Sequence, residues 1–333
     1  DPNDPDFENK NTMAPSEARE FGIYLQDEIE IESLEGWVVT PSMRIDKYEV
    51  TPKIDQAFLD NPSRKRFRFN PVHYENDPVI SPGLSVLRRM GYGANIYFTY
   101  NRGIRNPSAE ELNGLFEHPP QNDPESEPRP LIIRPNPDLQ EETSDSFEIG
   151  AQTRLDQSSL SFAFFKNFYN DFIKLEEEPD PHFDVYTNQN VGKVRIHGFE
   201  FSFERKLGNR IDALNGFGAG FSTSWSRGQN LDDSQPLDTI EPWQAIFFID
   251  YENKEKWGTR ITGTHRAAKK AEDLDLTTGD SPIAGSLVID WMGWIRFNKT
   301  FEVRAGLNNL TDEKYFLWSS ARRGGFHGVT NST

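Results

Sequence analysis

The 333-residue sequence predicts an all-β protein, an antiparallel meander of about twelve long strands forming part of a transmembrane β-barrel. Three observations lead there. Apolar residues recur with period two almost throughout, connections between strands alternate short and long, and 25 Phe occur in a chain of formal net charge -17. No stretch approaches the roughly 18 to 20 unbroken apolar residues of a membrane-spanning helix. Any crossing of a bilayer must therefore be made by strands, whose alternation keeps mean hydropathy low.

The expected strands are 21–31, 37–50, 79–90, 94–104, 144–155, 158–175, 190–207, 214–229, 242–253, 257–270, 284–297 and 300–312. In the fifth, "SFEIGAQTRL", Phe147, Ile149, Ala151 and Leu155 oppose Glu148, Gln152 and Arg154. In the seventh, Phe199, Phe201, Phe203 and Leu207 oppose Glu200, Ser202 and Glu204. In the eleventh, Leu287, Ile289, Trp291, Ile295 and Phe297 oppose Ser286, Asp290 and Arg296. One apolar and one strongly polar face per strand suits lipid on one side and water on the other. Most of these strands reach or exceed the roughly 9 to 11 residues that a tilted membrane strand needs.

The short connections are "ESLEG", "GYG", "DQ", "GNRIDA", "NKEK" and "NK"; between them fall 51–78, 105–143, 176–189, 230–241 and 271–283, rich in Pro, Asp, Glu and Asn. Turns short at one rim and long at the other match periplasmic turns and extracellular loops. The first strand then descends from the outer side and the twelfth rises into "DEKYFLWSSARRGGFHGVTNST". Sheet edges left open in lipid expose unpaired backbone groups. At least one more strand is therefore expected after Thr333 and more before Asp1, so that residues 1–333 are one portion of a larger barrel. The opening "DPNDPDFENKN" reads as a loop or a processed or truncated end.

Other classes are disfavoured. Without cysteine there is neither a disulfide framework nor a thiolate metal site. The negative charge argues against nucleic acid as a partner. No Gly-x-Ser-x-Gly elbow, His-Glu-x-x-His pair or phosphate loop is present, and an enzyme is not expected.

Several segments resemble the TonB-dependent outer-membrane receptors of Gram-negative bacteria. "FGIYLQDEIEI" with "VVTPSMRIDKYEV" is similar to that family's mid-barrel hairpin, and "FKNFYNDFIKL", "NVGKVRIHGFEFSFE" and "AGLNNLTDEKYFLWSSAR" to its later strands. "GIRNPSAEEL" resembles its arginine-proline box and "NPDL" its second box. The first box usually reads Phe-Arg-Ala-Pro and here is Ile104, Arg105, Asn106, Pro107; the second usually ends Asn-Leu and here is Asn136, Pro137, Asp138, Leu139. "HRAAKKAED" and the tryptophan of "KYFLWSSAR" point within the family to the haem and haemoglobin receptor group.

The resemblance implies a 22-stranded barrel, of which this C-terminal portion holds roughly the tenth to twenty-first strands. The plug domain, the first barrel strands and the last strand would lie outside the sequence. It implies haem as transported ligand, from a haem-carrying protein, with outer-membrane lipid around the wall and the TonB–ExbB–ExbD complex acting through the plug. The alternative cargo is a siderophore or other metal chelate.

Six histidines are present: His73, His118, His182, His197, His265 and His327. The strand assignment places all of them in outer loops, the outer tail or the outer ends of strands, and imidazole is a common haem-iron ligand. His118 lies between the two boxes, where the resemblance places a haem-ligating histidine, and Pro119 and Pro120 limit its freedom. His182, in "DPHFDVY", is the second candidate. Against both stands the plain reading of an exposed loop histidine without a ligand. Arg266, Lys269 and Lys270 could meet haem propionates or lipid phosphates. Trp243, Trp257, Trp291, Trp294, Tyr251 and Tyr315 are expected in interfacial girdles.

Overall fold

The computed structural model describes residues 13–61, 69–118, 130–155, 157–208, 212–253, 256–275 and 280–321. Twelve strands form one continuous antiparallel sheet in sequence order. They are β1 (Ser16–Gln26), β2 (Trp37–Pro52), β3 (Val79–Met90), β4 (Ala94–Arg105), β5 (Glu142–Leu155), β6 (Ser158–Glu178), β7 (Asp184–Lys206), β8 (Phe217–Asn230), β9 (Gln244–Asn253), β10 (Trp257–Arg266), β11 (Ser286–Arg296) and β12 (Glu302–Leu307). β1 and β12 lie at the two edges of this path.

Register carries one apolar face across the whole sheet. Phe98 pairs with Ile149, Ile149 with Phe164 and Phe164 with Phe199. Farther along, Phe221 pairs with Phe247, Ile249 with Ile261 and Ile261 with Trp291. Residues paired across an antiparallel ladder point to the same side, so Phe199–Phe201–Phe203 and Leu287–Ile289–Trp291 share the outward, lipid-facing side. The opposite face is a polar ladder: Tyr97 donates to Glu148 at 2.8 Å, the Ser161 and Ser202 hydroxyls lie 2.7 Å apart, and Arg260 reaches Asp250 at 2.6 Å.

Aromatic contacts mark the rim with the short turns. The Phe217 and Tyr251 rings lie 4.8 Å apart, and those of Tyr251 and Trp257 5.0 Å apart. Trp294 departs from the girdle expectation. Its register partner on β12 is Arg304, of the polar face, and the Arg296 guanidinium lies over its ring at 5.0 Å.

Several boundaries differ from those read in the sequence: β10 ends at Arg266 and β12 at Leu307, four and five residues sooner than expected, and the two larger differences concern β1 and the β6–β7 hairpin. β1 starts earlier, because Ser16–Gln26 pairs in full with Ser42–Pro52, and of the chain after it only Ile29–Glu30 bridges back to β2. The segment 176–189 is not a long loop. β6 and β7 stay paired up to Glu178 and Val185, and residues 179–183 alone make the turn. Polar residues hid this strand pair, since a hairpin rising out of the membrane into water has no apolar face to alternate. One close approach is built into it: a Cβ at Gly192 would overlap the carboxylate of Asp232, which accepts from the Lys193 amide at 3.2 Å.

The wall itself has little buried core. Most of the buried apolar side chains, among them Val50, Phe58, Leu112, Ile132, Leu139 and Trp318, belong to the long connections and outer strand ends. A cation on the lipid face should therefore be strongly destabilising. Ile261→Arg, near the middle of β10, should lower unfolding stability by about 2–4 kcal/mol in lipid vesicles, while Thr262→Arg on the polar face should change it by well under ~1 kcal/mol. Denaturant titration of the intact protein in vesicles measures both.

Candidate functional site at the outer mouth

The site is built where β4 ends. Arg105 closes the strand, Pro107 is fully buried, and Ser108 starts a short helix, α1 (Ala109–Asn113). Ser108 Oγ accepts from the Glu111 amide at 3.2 Å while Glu111 accepts from the Ser108 amide at 2.7 Å, a reciprocal cap that fixes the turn. Arg105 bridges two carboxylates, Glu142 at the start of β5 and Glu111 at 3.0 Å. Glu142 is almost wholly buried, so Arg105 is the charge that neutralises it.

The helix turns Leu112 inward against Val50, Leu139 and Ile173, with Tyr48, Tyr74 and Ala109 packed around them. The second box meets the first here. The Asn136 amide donates to the Glu111 carbonyl at 3.0 Å, and its side chain donates to the Asn188 carbonyl of β7 at 2.8 Å. Asn136 Oδ1 also accepts from the Asp138 amide at 3.0 Å, shaping the turn through Pro137. Two motifs some thirty residues apart thus share one small core, and their leucine and arginine act as anchors of the loop.

Asparagines extend this bracing. Asn113 exchanges two bonds with the Val72 backbone, at 2.7 and 3.0 Å, and Asn190 bonds both the amide and the carbonyl of Gln140 at 2.9 and 3.0 Å. Sequence reading missed both, because an asparagine in a loop carries no signal of which backbone it will satisfy. Burial and the Glu141 carboxylate raise the Tyr74 phenol above its ordinary range, so it stays a donor, reaching Glu141 at 3.3 Å.

Between the boxes the chain forms a ribbon. Phe116–His118 pairs antiparallel with Leu131–Arg134, which pairs in parallel with β7 from Asp184 to Thr187. His118 stands opposite Leu131, and Leu131 opposite Asp184. Two strand spacings of about 4.8 Å put the backbone of His118 roughly 10 Å from that of Asp184. His182 lies two residues beyond, exposed in the β6–β7 turn at the same end of the ribbon. The His182 and Phe183 amides donate to the Asp180 carboxylate at 2.9 and 3.1 Å and, with Arg134, hold its carboxyl below the ordinary range.

The other histidines are placed differently. His73 is held among Thr51, Glu49 and Glu75 beside β2. The His265 ring stacks edgewise on Trp243. His197 lies well within β7, on the same outward face as Phe199, and not at a strand end. His327 falls outside the described residues. Lys269 is buried, donates to the Ile240 carbonyl at 2.7 Å and lies over the Trp318 ring at 5.2 Å. Trp318 in turn donates to the Asp238 carbonyl, so Lys269, expected near propionates or lipid phosphates, and Trp318 hold the loops after β8 and β10 together. Arg266 lies over Tyr315, and Lys270 pairs with Glu272.

The family model described as "TonB dependent receptor-like, beta-barrel" matches residues 1–310. Among curated proteins, the chain is 30% identical over 243 residues to the hemoglobin and hemoglobin-haptoglobin-binding protein A of Haemophilus influenzae, covering 67% of this chain and 22% of that protein. It is 26% identical over 254 residues to the hemoglobin-haptoglobin utilization protein B of Neisseria meningitidis, covering 67% and 30%. The chain thus matches less than a third of the length of these relatives. Among solved structures, the copper transporter OprC superimposes with a TM-score of 0.71 at 18% identity over 91% of this chain and 43% of that one. The FrpB iron transporter from Neisseria meningitidis does so with a TM-score of 0.65 at 14% identity over 92% and 43%.

Removing Arg105 should loosen the loop and spare the wall. Because its guanidinium is nearly half exposed, Arg105→Ala should cost about 1–2 kcal/mol, below the value for a fully buried pair. Limited proteolysis of the intact receptor should show faster cleavage within 106–141, with the heat-resistant mobility of the folded barrel retained.

Proposed function

This chain belongs to the TonB-dependent receptor-like β-barrel family of Gram-negative outer membranes, and we propose that it forms the wall and outer mouth of a receptor that captures haem. The observation carrying this reading is the ribbon that brings positions 118 and 182 to one end of the mouth. An imidazole nitrogen from His118 ligates the iron as haem arrives, and His182 is placed to approach from the neighbouring turn. Two imidazoles are sufficient protein ligands for a haem iron, whose other positions are filled by the porphyrin. The relatives named for haemoglobin and haemoglobin–haptoglobin binding support the same cargo class, with a haem-carrying protein as donor.

The roles of the parts follow from their anchoring. Arg105, Pro107, Asn136, Pro137 and Leu139 hold the loop base and touch no cargo. Haem is substrate here, carried and released, and no catalytic chemistry is needed. Release inward is driven by the TonB–ExbB–ExbD complex acting through a plug domain, as the family resemblance implies. The second reading, a siderophore or other metal chelate, draws on the structural neighbours named for copper and iron transport, whose identity below 20% shows the shared fold alone.

The test is haem titration of the intact receptor, followed by the haem absorption band. His118→Ala should weaken binding by about tenfold or more and shift the band, since an axial ligand is lost, while the folded barrel persists. Binding to the natural protein should also weaken in acid, because iron takes the unprotonated ring. Unchanged affinity and spectrum in His118→Ala and in the double variant with His182→Ala would reject haem ligation by this ribbon. Tight binding of a ferric siderophore in place of haem would favour the second reading.

A further inference from the structure

A second cluster of chemistry lies on the other side of the wall, away from the mouth. On the outward face, strand register stacks residues in level rows. One row is apolar: Ile149, Phe164, Phe199 and Trp225. The next row towards the outer side reads Phe147, Lys166, His197 and Arg227, and the one above it Asp145, Phe168, Arg195 and Gln229. Three cations and a histidine thus stand together immediately above the lipid-facing belt, on three adjacent strands.

Their surroundings leave the charge unbalanced. The charged groups that act on the His197 ring are Arg195, Lys166 and Arg227, all cations. Among the described residues, Lys166, Arg195 and Arg227 form no ion pair with a carboxylate. The nearest acid in these rows, Asp145, lies beyond Phe168 from Arg195 and accepts from the Tyr100 hydroxyl at 2.7 Å. Arg195 donates to the Gln229 side chain at 2.9 Å, Lys166 lies over the Phe168 ring at 5.0 Å, and His197 packs edgewise on Trp225. Arg195 Nε and His197 Nδ1 are buried without any hydrogen-bond partner. A cavity of about 270 Å³ opens between Arg195, His197, Arg227 and Trp225.

Like charges held together next to lipid, with donors left unused, repel one another unless an anion joins them. We propose that Lys166, Arg195, His197 and Arg227 form a binding site for a phosphate group, and that the phosphate is carried by a phosphorylated glycolipid of the outer leaflet. Guanidinium groups grip phosphate oxygens in paired hydrogen bonds, and the ammonium of Lys166 adds a further charge-assisted donor. The lipid, and not a dissolved anion, is the favoured source because of what lies beneath and beside the cations. Below them is the row of Phe164, Phe199 and Trp225, along which an acyl chain can lie. Beside them, on the same face, a groove of about 860 Å³ runs between Leu84, Phe98, Phe147 and Phe168, with Arg102 and Lys193 among its lining. The apolar part of that groove fits chain or ring carbon, while its charged lining is mixed in sign, Arg102 standing opposite Asp145. This site is independent of the cargo reading, since it lies on the opposite face from the mouth.

The test uses the intact receptor in mild detergent. Binding is measured for purified bisphosphorylated lipid A, for the same lipid with its phosphates removed, and for inorganic phosphate. The natural receptor should bind the phosphorylated lipid at least about tenfold more tightly than the dephosphorylated one, and Arg195→Gln with Arg227→Gln should remove most of that difference. Inorganic phosphate at millimolar concentration should neither bind comparably nor displace the lipid. Equal affinity for the two lipids would overturn the proposal without recourse to any variant. So would full affinity in a double variant whose folded mobility is retained. Displacement of the lipid by inorganic phosphate would overturn the lipid as the source and leave a free-anion site.

Discussion

The wall of this molecule answers to one constraint: backbone N–H and C=O groups inside a bilayer must bond to each other, because lipid offers them nothing. Twelve strands paired in sequence order meet that requirement with the least ambiguity, each strand between β1 and β12 bonding the one before and the one after. Side-chain alternation then follows from the pleat. Register keeps the apolar row continuous from Phe98 through Phe164 and Phe199, and again from Phe247 through Ile249 and Ile261. The apolar partner of this sheet is solvent of a different kind, so the wall folds without a packed interior.

That leaves the outer mouth to solve a different problem. Between β4 and β5 the chain leaves the main ladder, and among the described residues there only the short ribbon of Phe116–His118 and Leu131–Arg134 has strand partners. Side-chain amides take over part of the role, with Asn113 serving Val72, Asn136 serving Asn188 and Asn190 serving Gln140. A small hydrophobic cluster of Val50, Leu112, Leu139 and Ile173 then does for the loop what lipid does for the wall. The Arg105–Glu142 pair sits at the seam between these two regimes, at the last residue of β4 and the first of β5.

Most of the wall was legible because its signal is local. Period two in "SFEIGAQTRL" or "FEFSFERKL" needs no knowledge of the rest of the chain, and short turns such as "GYG" mark hairpins directly. The top of the β6–β7 hairpin was not legible. Its residues are mostly polar, with Val185 alone fully buried, and pairing defines it as strand. Of the candidate site, the two boxes could be seen as motifs, but their meeting could not. It depends on Glu111 offering a carbonyl to Asn136 across twenty-five residues of loop. Lys269 misled for a related reason: a basic residue in an outer loop looks like a contact for propionate or lipid phosphate until its burial is known.

The buried anchoring of the mouth bears on how much freedom remains there when cargo arrives. A loop of thirty-odd residues would ordinarily surrender a large conformational entropy on closing around a ligand. Among the described residues of this loop, the capped α1 helix, the paired ribbon and the leucine cluster already supply such order. Ligand affinity at such an entrance is set chiefly by contacts made, with little subtracted for organising the receptor. Under the proposed reading, the described base of the outer mouth is a preshaped socket.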